Sequence, residues 1–205
     1  MKPLFFLFFT ISFLSTNLGF SQQKISSPFN LTEFDSIQHQ RIYRIQVDGY
    51  QVVELVEFNN NKFEGTLTHL VWRLNRKEIT KDSLIQKIAI PHHTVKKLMH
   101  ELGNADFEYL SDCDEINNCI IGLDGTTTTF QSENVKKVNA ASYWELESDY
   151  YYHQNNIEIP DEILKARKLI SMINNEFNLD DQFKSFLNRL PKGRYRYGMV
   201  IMKKG

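Results

Sequence analysis

Three acids, Glu145, Glu147 and Asp149, alternate beside Tyr143, Trp144 and the run Tyr150-Tyr151-Tyr152-His153. On an extended backbone the three carboxylates share one face, because side chains alternate across a strand. Such a face could grip a cation, or hold a sugar between aromatic platforms and supply the paired carboxylates of a glycoside hydrolase. The competing reading is an edge strand whose charges discourage aggregation, followed by core and rim tyrosines. The binding reading takes Tyr143, Trp144, Glu145, Glu147, Tyr150, Tyr151 and Tyr152 as contact residues, with exposed aromatics as anchors. No catalytic residue is assigned.

The histidines form a weaker constellation. His92, His93 and His100 lack the i, i+4 spacing of helical zinc sites, and Lys96 and Lys97 between them oppose a cation. No metal ligand set is assigned. Asp112, Asp114 and Glu115 lack the calcium-loop pattern and its turning glycine. There is no GxSxG, P-loop or GxGxxG motif, so no cofactor is expected.

Cys113 and Cys119 are the two cysteines. Five intervening residues do not fit a CxxC redox or zinc pair, and an even count in an exported chain favours a disulfide. FEYL (107–110) and IIGL (120–123) read as strands, which would make the bridge a staple across a hairpin loop. Closing so short a loop contributes roughly 2.4 kcal/mol in the chain-entropy picture.

Export is expected from the first 21 residues. Lys2 precedes an apolar run, Leu4 to Leu14, and Gly19 and Ser21 are small residues placed for cleavage before Gln22. The run is too short to span a bilayer as a helix. The expected mature chain, 22–205, is one domain in the periplasm or outside the cell, without a transmembrane span. Abundant Ile, Asn, Lys and Phe, with a Phe-rich leader ending in SQQ, resembles secreted proteins of flavobacteria. That resemblance is one of composition and implies no activity.

The chain carries 24 basic and 25 acidic residues, a formal net charge of −1. Near-neutrality and the lack of a polybasic run argue against nucleic acid and anionic membrane surfaces. The partner expected instead is a protein or a cell-envelope glycan. The sequence sets no oligomeric state.

The elements that must position these residues are legible in part. Residues 22–40 lack a period and read as a flexible lead-in or a loose first element. RIYRIQV (41–47) and YQVVELVEF (50–58) alternate about Asp48-Gly49, which predicts a hairpin with a type I′ turn. FEGTLTHLVWRL (63–74) reads as a third strand whose apolar parity changes, predicting a bulge or break near His69. Residues 75–83 read as loop and 84–90 as strand. Pro91 opens a helix with Val95, Leu98, Met99 and Leu102 on one face, stopped by Gly103. Strands follow over 126–130 and 135–144. Pro160 begins a helix with a stripe of Ile163, Ala166, Ile170, Ile173 and Phe177, widened by Leu164 and Leu169. A further helix from Asp180 shows Phe183, Phe186, Leu187 and Leu190, and 194–202 reads as one closing strand. The pattern predicts α+β: a mainly antiparallel sheet with helices packed on one face. The functional expectation is an exported, non-catalytic binding protein of the bacterial cell envelope. The alternative is a secreted hydrolase of glycan or peptide using Glu145 or Glu147, or a histidine-bound metal.

Overall fold

Alternating apolar and polar residues build most of the sheet. In the computed structural model, which describes residues 29–205, β1 (His39–Val47), β2 (Gln51–Phe58) and β3 (Phe63–Leu74) form a meander, and β4 (Thr80–Ala89) returns along β3. β5 (Thr127–Asn134) and β6 (Val138–Trp144) form a hairpin beside β1, and β7 (Gly193–Tyr197) and β8 (Val200–Lys204) form another beside β3. Every pairing is antiparallel, in the order β6-β5-β1-β2-β3-β7-β8 with β4 on the free edge of β3. β4 occupies that edge from Thr66 to Leu74, so the other edge of β3 takes β2 up to His69 and then β7 from Trp72. The α+β expectation is met in a single domain. The expected leader, residues 1–21, lies outside the described residues.

Four helices cover one face, called the front. α1 (His92–Asn104) follows Pro91 and buries Val95, Leu98, Met99 and Leu102. It runs one residue past Gly103, and Asp106 takes the left-handed conformation (φ 60°) after it. A Cβ at Gly65 of β3 would lie 2.8 Å from Val95 Cγ2, so this glycine lets α1 sit close on the sheet. α2 (Tyr150–Gln154) is short, and α3 (Asp161–Phe177) buries Ile163, Ala166, Leu169, Ile170 and Ile173. Leu164, expected in that stripe, is exposed. α4 (Leu179–Arg189) brings Phe183 and Phe186 onto Val71 and Tyr195. Asn178 (φ 45°) ends α3 and caps α4, accepting the Asp181 N–H at 3.2 Å.

Several expectations are corrected. Asp48-Gly49 does join β1 and β2, but through a three-residue loop in which Asp48 is the left-handed residue (φ 46°). That is not the type I′ turn, which needs positive φ at two consecutive residues. No bulge marks His69; the shift against β4 falls at Arg73/Leu74. Apolar parity changes in β3 because both of its faces are covered. Leu67 and Val71 look into the two front clusters, while Leu70 packs behind the sheet with Phe29 and Val52. The chain from Phe29 is therefore packed rather than a loose lead-in. β4 begins at Thr80, inside the expected loop, and 194–202 is a hairpin turned at Gly198 (φ 49°) instead of one strand.

The disulfide is present, Cys113 to Cys119 with Cα atoms 5.5 Å apart, but the hairpin around it is not. Phe107–Tyr109 is a 3₁₀ turn and 120–123 is irregular. Phe107, Leu110 and Cys113 are buried in the front core. The bridge closes a loop lying on that core.

Behind the sheet lies a buried ion network. Arg44, 1 % exposed, donates from Nε to Glu54 at 2.8 Å, from Nη1 to Glu133 at 2.5 Å and from Nη2 to the Thr32 carbonyl. Glu54 also accepts from the Thr32 N–H and hydroxyl.

Candidate functional site

The chain cannot stay extended after β6, because Glu145 turns left-handed (φ 46°). Glu145, Glu147 and Asp149 therefore do not share a strand face, which corrects the sequence expectation. Arg167 of α3 fixes the turn instead. Its guanidinium donates to the carbonyls of Leu146 (2.6 Å) and Ser148 (2.9 Å) and pairs with Asp149 at 2.5 Å.

The turn forms one wall of a cleft of about 600 Å³. Val47, Tyr50, Ile170, Leu179 and Phe183 give it an apolar and aromatic lining. Glu145, Glu147, Asn174, Asn175, Asn178 and Asp180 give it carboxylates and amides. Glu145 is half-buried, while Glu147 and Asn175 are exposed. The junction of α3 and α4 supplies the asparagines. It is anchored to the sheet by Gln51, which donates to the Leu179 carbonyl at 2.9 Å.

Two carboxylates stand together beside this cleft. Glu145 Oε1 accepts the Thr126 N–H at 2.6 Å, and Asp48 Oδ1 accepts the next N–H, of Thr127, at 2.7 Å. Burial pushes the Asp48 carboxyl above the ordinary range; the Thr127 N–H pulls it down and the Glu145 charge pushes it further up. The Tyr50 phenol is pushed up to about 12 by burial, then by Asp48 and other neighbouring acids and phenols. It remains protonated at neutral pH and can donate. Its ring lies 4.5 Å from that of Phe183 and 5.5 Å from that of Tyr197.

The expected aromatic anchors divide. Tyr143 and Tyr152 are buried in the front core, and Tyr143 donates its hydroxyl to the Ser111 carbonyl at 2.6 Å. Neither offers a ring to solvent, a correction to their reading as exposed anchors. Trp144 is half-buried, donating from Nε1 to the Asp124 carbonyl at 2.7 Å and lying 4.5 Å from the Tyr151 ring. A Cβ at Gly122 would sit 2.3 Å from the indole, so the loop backbone is pressed on the ring. Tyr150 is exposed, 5.1 Å from Tyr151. Glu145 and Glu147 enter the cleft, and none of these aromatics lines it.

Sequence reasoning passed over Tyr50, Asn174, Asn175, Asn178 and Asp180. Their one local signal, Asn178-Leu179-Asp180-Asp181, reads equally as a helix cap. Among the described residues no group of three His, Cys, Asp or Glu could hold a metal ion. His92 and His93 are exposed at the start of α1, and His100 contacts Asn104 at 3.1 Å. No helix of the described residues is long and apolar enough to cross a membrane.

No protein-family model matches this chain, and no curated protein matches it at a significant level.

Proposed function

We propose that the protein is an exported, non-catalytic binding protein of the cell envelope, and that the cleft beside the 145–148 turn receives a neutral, hydroxyl-rich ligand such as a short glycan. The observation that carries this is the pairing of an apolar, aromatic lining with carboxylate and amide groups in one open cleft. A sugar has C–H faces for the first and hydroxyls for the second, and a few well-placed polar groups orient a ligand over apolar walls. The acidic lining repels anions. Disulfides persist in oxidising compartments, and the Cys113–Cys119 bridge fits export.

The test is calorimetric titration with chitotriose, cellotriose and maltotriose. One of these should bind. Glu147→Gln and Asn175→Ala, at exposed cleft positions, should each weaken it about tenfold, near 1.4 kcal/mol, with an unchanged melting temperature. Silence from all three sugars overturns the reading.

A second reading, a secreted hydrolase of glycan or peptide, is favoured by the adjacency of Asp48 and Glu145. Paired carboxyl groups whose environments differ are the raw material of acid–base catalysis. Glu145→Gln and Glu147→Gln should then leave folding intact and abolish turnover of the bound sugar. Turnover that survives both changes excludes these two residues as its catalysts.

A further inference from the structure

A second concavity carries the opposite charge. It measures about 740 Å³ and lies where the end of β3, the loop into β4 and the base of the β7–β8 hairpin meet. Arg73, Arg76, Lys81, Lys192, Arg194 and Lys203 line it, and no acidic side chain does. The net charge of the whole chain is only −1, so this concentration is local. It is assembled by the fold from two short segments, 73–81 and 192–204, that are far apart in sequence.

Two of these six cations are paired with acids. Arg73 pairs with Asp82, and Arg194 with Glu78 at 3.1 Å, both acids lying outside the lining. Arg76, Lys192 and Lys203 are exposed and form no ion pair among the described residues. The strand register worsens the crowding, because Arg194 and Lys203 are direct partners across the β7–β8 pair. Like charges placed opposite one another destabilise a hairpin. A local conflict with folding of this kind is the mark of a site kept for another purpose.

We propose that this basic cleft binds a compact polyphosphorylated ligand. Concavity and charge density select that chemistry. Each phosphate carries up to two charges and several acceptor oxygens, whereas an acidic sugar carries one charge per ring. Guanidinium forks grip phosphate oxygens in pairs, and the lysines add point charges around them. A pocket bounded by a loop and a hairpin base suits a short ligand better than a long duplex, which needs a continuous basic stripe. A soluble polyphosphate and a phosphorylated lipid headgroup share this chemistry.

The probe is inorganic tripolyphosphate, titrated calorimetrically into the purified protein at low and at moderate salt. Binding should weaken about tenfold or more as the ionic strength approaches a few tenths molar, where the Debye length is well under 10 Å. The double variant Lys192→Gln/Lys203→Gln should lose about tenfold in affinity at an unchanged melting temperature. Arg76→Gln, on the opposite segment, should show a loss independently. Lys96→Gln/Lys168→Gln removes the same charge from exposed sites on α1 and α3 and should bind like wild type. Sedimentation with phosphatidylcholine vesicles containing phosphatidylinositol bisphosphate, reversed by tripolyphosphate, assigns the ligand to a lipid headgroup. Tripolyphosphate binding without sedimentation assigns it to a soluble phosphate. No tripolyphosphate binding, equal losses in both double variants, or tighter binding of a short DNA duplex overturns the proposal.

Discussion

The two faces of the sheet are closed by different physics. In front, α1, α3 and α4 lay apolar stripes on Val53, Leu55, Leu67 and Val71, and burial of apolar area holds them there. Behind, residues 29–34 cross a sheet whose centre holds Arg44 between Glu54 and Glu133, all nearly inaccessible. An apolar face tolerates exchange of one hydrophobe for another of similar volume. A buried ion network does not, because each member is held by the charges of the rest. The back face should therefore be the less forgiving of single changes.

The largest expected effect tests this directly. Arg44→Met leaves Glu54 and Glu133 buried without their cation, and breaking a buried pair in this way costs about 3–5 kcal/mol. For a domain of this size the melting temperature should fall by roughly 10 °C. The triple variant R44M/E54Q/E133Q removes the stranded charges and should recover much of the loss. Equal stability of R44M and wild type in a thermal melt would erase the contrast between the faces.

The front face has its own buried titratable group. His69 is fully buried, stacked on Phe186 with ring centroids 5.5 Å apart and contacting the Gln51 amide at 3.3 Å. Burial, then the Arg189 charge, lowers its pKa to about 4. The folded value lies below the unfolded one, so the unfolded state takes up the proton first. Stability is complete above pH 6.5 and declines as pH falls from there towards 4, by about 3 kcal/mol in all. Denaturant melts of wild type and His69→Gln should converge as the pH is lowered through that window. Parallel curves would show that the imidazole does not titrate there.

Legibility followed the same division. The stripes of α1 and α3 could be read because one face of each helix is buried, which leaves a clean period, while the β1–β2 hairpin could be read from its Asp48-Gly49 turn although both faces of its strands are buried. β3 misled because a segment more than thirty residues upstream covers its second face. FEYL misled because a short apolar run suits a 3₁₀ turn packed on a core as well as a strand, and IIGL misled because Ile121 and Leu123 are exposed on an irregular loop. Glu145 to Asp149 misled because a single left-handed residue, Glu145, breaks the alternation. Glu145 and Glu147 were legible as candidates and do line the cleft, yet the cleft's amides were not legible, since the α3–α4 junction meets the 145–148 turn only in three dimensions. The basic cleft was invisible for the same reason: its two segments are separated by more than a hundred residues.

At the margin of the front face, two of the clamps on the loop 111–126 act on different states. Trp144 acts in the folded state, its ring pressed on Gly122 and Gly125 and its N–H bonded to Asp124. A fully buried Trp→Ala change costs 3–5 kcal/mol, and this half-buried ring should cost about 2–3. Hydrogen exchange in Trp144→Ala should accelerate at 121–125 while the Arg44 network stays protected. Uniform acceleration would mean that the loop and the back face open as one unit.

The disulfide is the weaker clamp. By the chain-entropy argument a loop this short restricts the unfolded state by about 2 kcal/mol. Cys113→Ser/Cys119→Ser should lose that amount in urea melts. Exchange at 121–125 should stay close to wild type, because the Trp144 contacts survive on the folded side. Cys113 is buried and belongs to the front apolar cluster, so a serine there also brings a hydroxyl into apolar surroundings. Reducing the wild-type bridge removes the cross-link without adding that hydroxyl, and it should reproduce the loss seen in the serine pair. A larger loss in the serine pair than on reduction would assign the excess to the hydroxyl. Faster exchange at 121–125 on reduction, with Trp144 intact, would show that the bridge also holds the folded loop and that the two clamps share one task.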